Sequence, residues 1–448
     1  MRNTVHRPRG KGWSFLESTK KTGWQQVRKT ALSFMETVKK GPDFLYFILV
    51  ICYVVSEYAE RIYWTSDIFS VSWFNFLDYF ILFGSGVYLC YKITVWKKLL
   101  EKPYILLPLI LAIGALCGLL LMFLDQDWKH RKVVFTVIID IFLCLMAYGK
   151  NYKKLLQWLV FVPAATLLIA GLGLLTGLTQ EFVKVGQEES THSLGIIYPN
   201  TWGYIAFQTM LLVWYLYLRK KPLISFAMFW LTGVFLYFVI GCKTIAGLSL
   251  AFPLISLLTV QMEKRERTPG KKPGAIGWLA IALPILCYAL SIGLCLAKEW
   301  VAVTFYPTEL HPNAPLHSTA MRFVQGGLAL DYFGFPLFGR QMTLKAPLYL
   351  DPSTGVVEHL YVMDNAYATF TITKGVLWIA ACLAWLTFAQ WRGWKNKDYS
   401  ILLIGSFMLI FAVMERPGLE VWYNFVMLYP LASIAEPDTK KASGKRLR

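Results

Sequence analysis

The apolar residues of this chain gather into long runs separated by short polar segments. A helix needs about 20 apolar residues to cross a bilayer, because hydrocarbon offers no partner to an unpaired backbone amide. Twelve runs approach that length: 44–63, 72–93, 103–124, 133–149, 155–178, 201–218, 222–241, 244–260, 275–297, 367–390, 399–414 and 419–435. The most interrupted are the pair that meets at Gly241, the short last two, and the second, which carries Asp78. The pattern predicts an all-α, polytopic integral membrane protein, with residues 44–435 as the membrane domain, a basic segment 1–43 before it and a basic tail 436–448 after it.

Composition sharpens this picture. At 56% hydrophobic and 16% charged residues, the 448-residue chain has the reverse of a soluble balance. Cationic loops stay in the cytoplasm, and with both termini inside, the cytoplasmic segments hold 33 of the 45 Lys and Arg and nine of the 27 acids. The outer and membrane parts keep 12 cations against 18 acids. Lys129, Arg131 and Lys132 are the local exception, in a short outer loop. The formal charge of +18 is therefore mostly a topology signal facing anionic lipid, and nucleic acid is not needed as a partner to explain it. Eight cysteines lie in or at the ends of apolar runs and read as small hydrophobes.

The first 40 residues do not read as a signal peptide, since the basic stretch is too long and no small-residue cleavage site follows the first apolar run. Trp13, Phe15, Leu16, Trp24, Val27, Leu32 and Met35 recur there among cations, as in a helix lying on an anionic leaflet; a basic tail that only enforces topology remains the alternative. Two outer segments exceed ordinary turns: residues 180–200 and 298–365. Long loops on one side of a polytopic protein usually carry function, so chemistry is expected to face outward.

The polar residues of that side are the candidates. His130, His192, His311, His317 and His359 map outside and suit acid–base work or sugar hydroxyls, although polar residues placed in water need no further reason. Lys184, Lys243, Arg322, Arg340, Lys345 and Lys374 are outer or embedded cations; Lys243 suits a phosphate or carboxylate, or snorkels to the interface, and Arg322 suits pyrophosphate oxygens or an ion pair with a loop carboxylate. Asp140 lies mid-span, where it either serves function or holds two helices together; Glu57 and Asp78 lie nearer the outer ends of their helices. Glu415 and Asp364 are better placed for an outer substrate. The loop aromatics Trp300, Phe305, Tyr306, Tyr332, Phe333, Phe335 and Phe338 suit either sugar stacking or the apolar face of short helices. No H-x-x-x-H or Gly-rich phosphate loop occurs, so neither metal nor cofactor is expected.

Four stretches together resemble the Wzy-like polysaccharide polymerases of the O-antigen ligase and polymerase superfamily. Thr191-His192-Ser193-Leu194-Gly195-Ile196-Ile197-Tyr198-Pro199-Asn200 is similar to the R-H-S-L-G-F-x-H-P-N signature, and Gly241-Cys242-Lys243-Thr244 to the S-R-T segment. Arg322 with Phe335-Pro336-Leu337-Phe338-Gly339 resembles the arginine and P-L-F-G ending of the large loop, and Asp364-Asn365-Ala366-Tyr367, with Gly375 beyond, the D-N-x-Y motif. Thr191 and Lys243 stand where the family has arginine; either neighbouring Lys184 compensates or the substrate differs in charge.

The resemblance implies a bacterial plasma or inner membrane enzyme that joins undecaprenyl-pyrophosphate-linked repeat units on the outer face. Donor and acceptor are both lipid-linked oligosaccharides, membrane lipids surround the chain, and a chain-length regulator and a flippase are implied partners. Lys243 and Arg322 would meet the pyrophosphate, His317, His192 or Glu415 would take the acceptor proton, and Asn200, Asp364, Asn365 and Tyr367 would position sugar or order the loop. A ligase that transfers finished glycan shares fold and donor. A lipid-linked-glycan flippase or other transporter would instead line a central path with charge and keep a compact outer side, and a scaffold would leave the outer motifs unexplained.

Overall fold

The structure is a computed structural model that describes residues 42–62, 64, 71–91, 103–123, 128–181, 183–184, 191–265, 275–305, 315–340, 342, 347–350, 357–359 and 364–432. The basic N-terminal segment up to residue 41 and the tail from 433 lie outside the described residues. In chain order the helices are α1 (Pro42–Ala59), α2 (Val71–Tyr91), α3 (Pro103–Phe123), α4 (Trp128–Met146), α5 (Tyr152–Leu159), α6 (Phe161–Thr176), α7 (Pro199–Val213), α8 (Pro222–Phe235), α9 (Lys243–Arg265) and α10 (Ala275–Leu296). They continue as α11 (Lys298–Phe305), α12 (Pro315–Phe333), α13 (Ala366–Thr373), α14 (Val376–Lys395) and α15 (Tyr399–Met414). Two small antiparallel pairs, β1 (Val183–Lys184) with β2 (Thr191–His192) and β3 (Pro347–Leu350) with β4 (Val357–His359), belong to the two long segments 180–200 and 298–365.

The protein is thus helical and built for a membrane. Tyr152–Thr176, Pro222–Ile240 and Ile276–Leu296 are long and apolar enough to cross one, and shorter apolar helices accompany them. Large apolar side chains stand exposed on the flanks, among them Phe83, Leu172, Leu223, Leu231 and Phe238. Such a surface is untenable in water and natural against lipid. At the centre, α15 is buried on nearly all faces and packs against α9, α10, α13 and α14.

Two predicted spans differ from single helices. The run 367–390 breaks at Lys374-Gly375 into α13 and α14. Gly375 has φ +90°, and a Cβ there would meet the backbone of Leu337, Phe338 and Gly339. The P-L-F-G stretch therefore runs alongside the break, where Val376 N–H donates to Pro336 O (2.9 Å), Leu377 N–H to Leu337 O (3.2 Å) and Arg340 N–H to Ile372 O (2.7 Å). The amides that a helix start leaves unpaired are satisfied by that loop. Gly375→Ala is expected to cost about 2 kcal/mol or more, from strained backbone and displacement of the loop, and a thermal melt in detergent measures it.

The run 419–435 is not a helix over its described residues. Two short 3-10 turns, Arg416–Leu419 and Phe425–Leu428, are joined by irregular chain that is buried throughout. Irregular backbone survives at membrane depth only inside protein, and here side chains from three helices supply its partners. Gln208 donates to Trp422 O and Tyr423 O, Tyr152 to Phe425 O, Trp385 to Met427 O, and Arg392 to Tyr429 O, Pro430 O and Ala432 O. The segment 298–365 is also more than a loop, because α12 packs against α10, α11 and α13 and buries Ala320, Phe323, Ala329, Leu330 and Phe333. Phe333 thus belongs to a helix face packed on the bundle, while Tyr332 and Phe335 remain exposed.

Candidate functional site

A buried ion-paired group sits where α15 ends. Arg322, on α12 and 8% exposed, directs its guanidinium at Glu415 (2.8 Å), the C-cap residue of α15, and at Asp364 (3.4 Å), just before α13. It also donates to Met414 O (2.6 Å), one of the carbonyls that a helix end leaves unpaired. The two carboxylates are not equivalent, since Glu415 is almost wholly buried while the Asp364 side chain is one-third exposed. Burial pushes the Glu415 carboxyl up to about 7, and the Arg322 charge beside it restrains the rise.

The first two motif stretches meet one another at the start of α7. Leu194 (φ +45°) and Gly195 (φ +83°) form a left-handed turn in which a Cβ on Gly195 would meet Ala170 O. The turn sets Ile197 N–H against Arg61 O (2.8 Å) and lets α7 start at Pro199 with its missing N–H in the first turn. Cys242 then donates its thiol to Pro199 O (3.0 Å) and Asn200 Oδ1 (3.3 Å). Burial pushes that thiol up, with the Glu415 charge adding to the effect and Arg322 opposing it, so Cys242 remains a protonated donor within reach of both charges. Lys243 follows as the first residue of α9.

Other expected residues take different positions. Asn365 is fully buried and caps α13 by accepting from Ala368 N–H (3.1 Å), while its amide exchanges hydrogen bonds with Ser291 on α10. Tyr367, also fully buried, donates to Leu409 O (3.2 Å). Both residues anchor α13, which holds Asp364 in place. His192 lies on β2, with Nδ1 2.6 Å from Glu181 Oε1, both partly exposed. His317 falls within α12, but its side chain lies outside the described residues, as do those of His130, His311, His359, Lys184 and Lys345. Arg340 is exposed, its guanidinium 5.9 Å from the Phe333 ring centre.

A second charged group was not foreseen. The Arg61 guanidinium pairs with Glu57 (3.1 Å) and lies 4.4 Å from the Trp422 ring centre. Trp422 Nε1–H donates to Glu420 (2.6 Å), which faces Arg416 (3.5 Å). Arg416, about half exposed, directly follows Glu415 in the chain and so brings a solvent-facing cation beside the Arg322 group. The sequence did carry a signal for it: Glu57/Arg61 and Arg416/Glu420 are each four residues apart, the spacing at which opposite charges meet on a helix. Their convergence on Trp422 is not visible in either spacing.

Deeper in the bundle, Lys374 at the α13–α14 break faces Asp140 on α4 (3.9 Å), to which Tyr53 also donates (3.2 Å). The mid-span acid therefore has a cationic partner at the α13–α14 break, which suits the joining of helices, one of the two roles open to it. Among the described residues, no group of three His, Cys, Asp or Glu stands close enough to hold a metal ion. No protein-family model matches this chain, and neither a curated protein nor a solved structure matches it.

Proposed function

We propose that this chain is a polytopic membrane glycosyltransferase that polymerises undecaprenyl-pyrophosphate-linked repeat units on the outer face of a bacterial cell membrane. The observation that carries the reading is that residues of the four stretches resembling the Wzy-like family, far apart in sequence, come together in pairs: Arg322 with Asp364, Cys242 with Pro199 and Asn200, and Pro336-Leu337 with the Gly375 break. Twelve crossings with both ends of the chain in the cytoplasm belong to the same proposal, eleven of them helical and the last made by the buried segment after Glu415. Arg219, Lys220, Lys221, Arg392, Lys395 and Lys397 gather at the opposite end of α15, in keeping with a cytoplasmic side there.

The geometry suits an acceptor hydroxyl attacking the anomeric carbon of the donor. A carbon–oxygen bond forms to the acceptor, the bond to the phosphate oxygen breaks, and its electron pair leaves with the lipid pyrophosphate. Glu415 takes the hydroxyl proton, and its position near neutrality is where a general base is most effective. Lys243 and Arg322 stabilise the charge that grows on the pyrophosphate. For Arg322 this requires exchange of one partner, and Asp364, more distant and more exposed than Glu415, is the one an incoming phosphate displaces. Arg416 adds a half-exposed cation at the same mouth.

Deletion of the gene followed by analysis of the lipid-linked pool tests the reading. Single repeats accumulating on the outer face support a polymerase; polymer left on its lipid carrier indicates a ligase instead, and repeats trapped inside a flippase. A pH series tests the base. Only ionised Glu415 accepts a proton, so turnover in proteoliposomes is expected to rise with pH and level off above about 7, while Glu415→Gln is expected to lose at least about 100-fold and show no such rise. An unchanged profile in Glu415→Gln would assign the base elsewhere, with His192 and His317 next to examine.

A further inference from the structure

The end of the molecule remote from Arg322 holds a basic cavity that the glycan chemistry does not use. The axis of α15 separates the two places: Glu415 caps one end and Asp398 precedes the other, about 24 Å away for sixteen residues at 1.5 Å each. The cavity has a volume of about 340 Å3 and is bordered by Ile105 at the start of α3, Tyr148 after α4, and Trp391, Arg392, Lys395 and Asn396 at the end of α14. A water molecule needs only about 10–15 Å3 of such space, so the cavity has room for a polar group of several heavy atoms.

Its electrostatics favour an anion. Among the described residues the lining contains two cations and no carboxylate. Around it the described charged side chains are Lys150, Lys153, Lys154, Arg219, Lys220, Lys221, Arg392, Lys395 and Lys397, against Asp398 alone. That carboxylate is already engaged by Arg219 (3.5 Å) and by the Tyr215 hydroxyl (2.8 Å). Arg392 is fixed by its hydrogen bonds to the carbonyls of Tyr429, Pro430 and Ala432, so it contributes a stationary positive charge. Lys395 is exposed, with its ammonium 5.0 Å from the Trp391 ring centre, and acts as the movable point charge.

The apolar part of the wall identifies the kind of anion. Ile105 belongs to the same turn of α3 as Leu106 and Leu107, which stand exposed with Ile110 beyond them. An apolar surface on which a hydrocarbon chain can lie thus begins within one helical turn of the cavity, and Trp391 and Tyr148 supply the amphipathic rings that favour headgroup depth. Cationic pockets between helix ends with this mixture of walls suit lipid phosphate. We propose that the cavity binds the phosphodiester headgroup of an anionic phospholipid, with one acyl chain lying along the exposed face of α3.

The test uses the full chain purified in neutral detergent and supplied with phosphatidylglycerol, phosphatidylcholine or inorganic phosphate. Retained lipid is counted by native mass spectrometry and the thermal midpoint is followed in parallel. One tightly retained phosphatidylglycerol and a raised midpoint are expected, without either effect from phosphatidylcholine or from phosphate. Lys395→Glu is expected to weaken retention about fivefold or more. Lys220→Glu, at the same end but outside the cavity, should retain the lipid as the unaltered chain does. Ile105→Trp, which fills the cavity without changing charge, should also expel the lipid and gives a second route should Lys395→Glu fold poorly. Equal retention of both lipids, or undiminished retention in both cavity variants, would overturn the proposal. A midpoint raised equally by inorganic phosphate would replace the lipid with a soluble anion.

Discussion

Arg322→Ala is expected to abolish polymer and to destabilise the protein by about 3–5 kcal/mol at alkaline pH, the usual cost of removing one member of a buried ion pair. The expense lies in Glu415, which is buried to 4% exposure and would be left without its guanidinium partner. The pH dependence follows from protonation. Unfolded Glu415 titrates near 4.5 and the folded group near 7, so the folded chain holds the extra proton between these values, and this contribution to stability falls as pH rises through that window. Arg322 restrains the upward shift; without it the folded value climbs further, and the variant continues to lose stability above pH 7 where the parent has levelled off. The penalty should therefore be small at about pH 6 and grow towards about pH 8.5, as thermal midpoints at the two values will show. Arg322→Met combined with Glu415→Gln removes both charges and should recover most of the stability while remaining inactive. A double variant as unstable as Arg322→Ala alone would mean that the carbonyl of Met414, and not Glu415, is what Arg322 chiefly supports.

How far this arrangement is legible in the sequence depends on the range of the forces that make it. The apolar runs that became helices α1 and α15 were readable because a long apolar run bounded by polar residues has few alternatives to helix, and the predicted 399–414 coincides with α15. The run 419–435 misled because Val421, Trp422, Tyr423, Phe425, Val426, Met427 and Leu428 are as apolar as a spanning helix. Its irregular path depends on Gln208, Tyr152, Trp385 and Arg392, between about 40 and 270 positions away, whose donors reach its carbonyls. The interruption at Gly375 likewise arises from a distant loop laid against it.

The charged residues show the same division. Arg322, Asp364 and Glu415 were individually conspicuous as ionisable groups near the outer ends of apolar runs, and an ion pair with a loop carboxylate was one reading of Arg322. Which carboxylate it meets depends on α12 packing beside α13, and nothing in the spacing encodes that contact. Asn365 and Tyr367 lie within a recognisable motif, yet their side chains turn inward to α10 and α15, a choice made by tertiary packing. Arg61 and Arg416 lacked salience because each has a local acid that explains it, and only their shared contact with the Trp422–Glu420 pair brings them to one place.

Lys374→Met should be the most damaging single change away from that mouth, at about 3–5 kcal/mol, because it leaves Asp140 at 1% exposure with only the Tyr53 hydroxyl for support. Asp140→Asn should be milder. The stranded ammonium keeps the rings of Phe370 (4.3 Å) and Trp378 (5.5 Å), and cation–π attraction in a dry site offsets about 2 kcal/mol. Lys374→Met with Asp140→Leu replaces the pair with apolar groups and should lie much nearer the parent than the sum of the two single losses, since a buried pair separated by 3.9 Å recovers little of the cost of taking both charges out of water. Thermal midpoints of the parent, both singles and the double measure that coupling, and strictly additive losses would show that the two residues do not act on one another. Activity of the double variant then decides what the pair is for. Lys374 adjoins the Gly375 break that receives the P-L-F-G loop, and Asp140 ties α4 to it. A double variant that folds and still polymerises assigns the pair to helix assembly, whereas one that folds without polymerising makes the break between α13 and α14 a working part of the site.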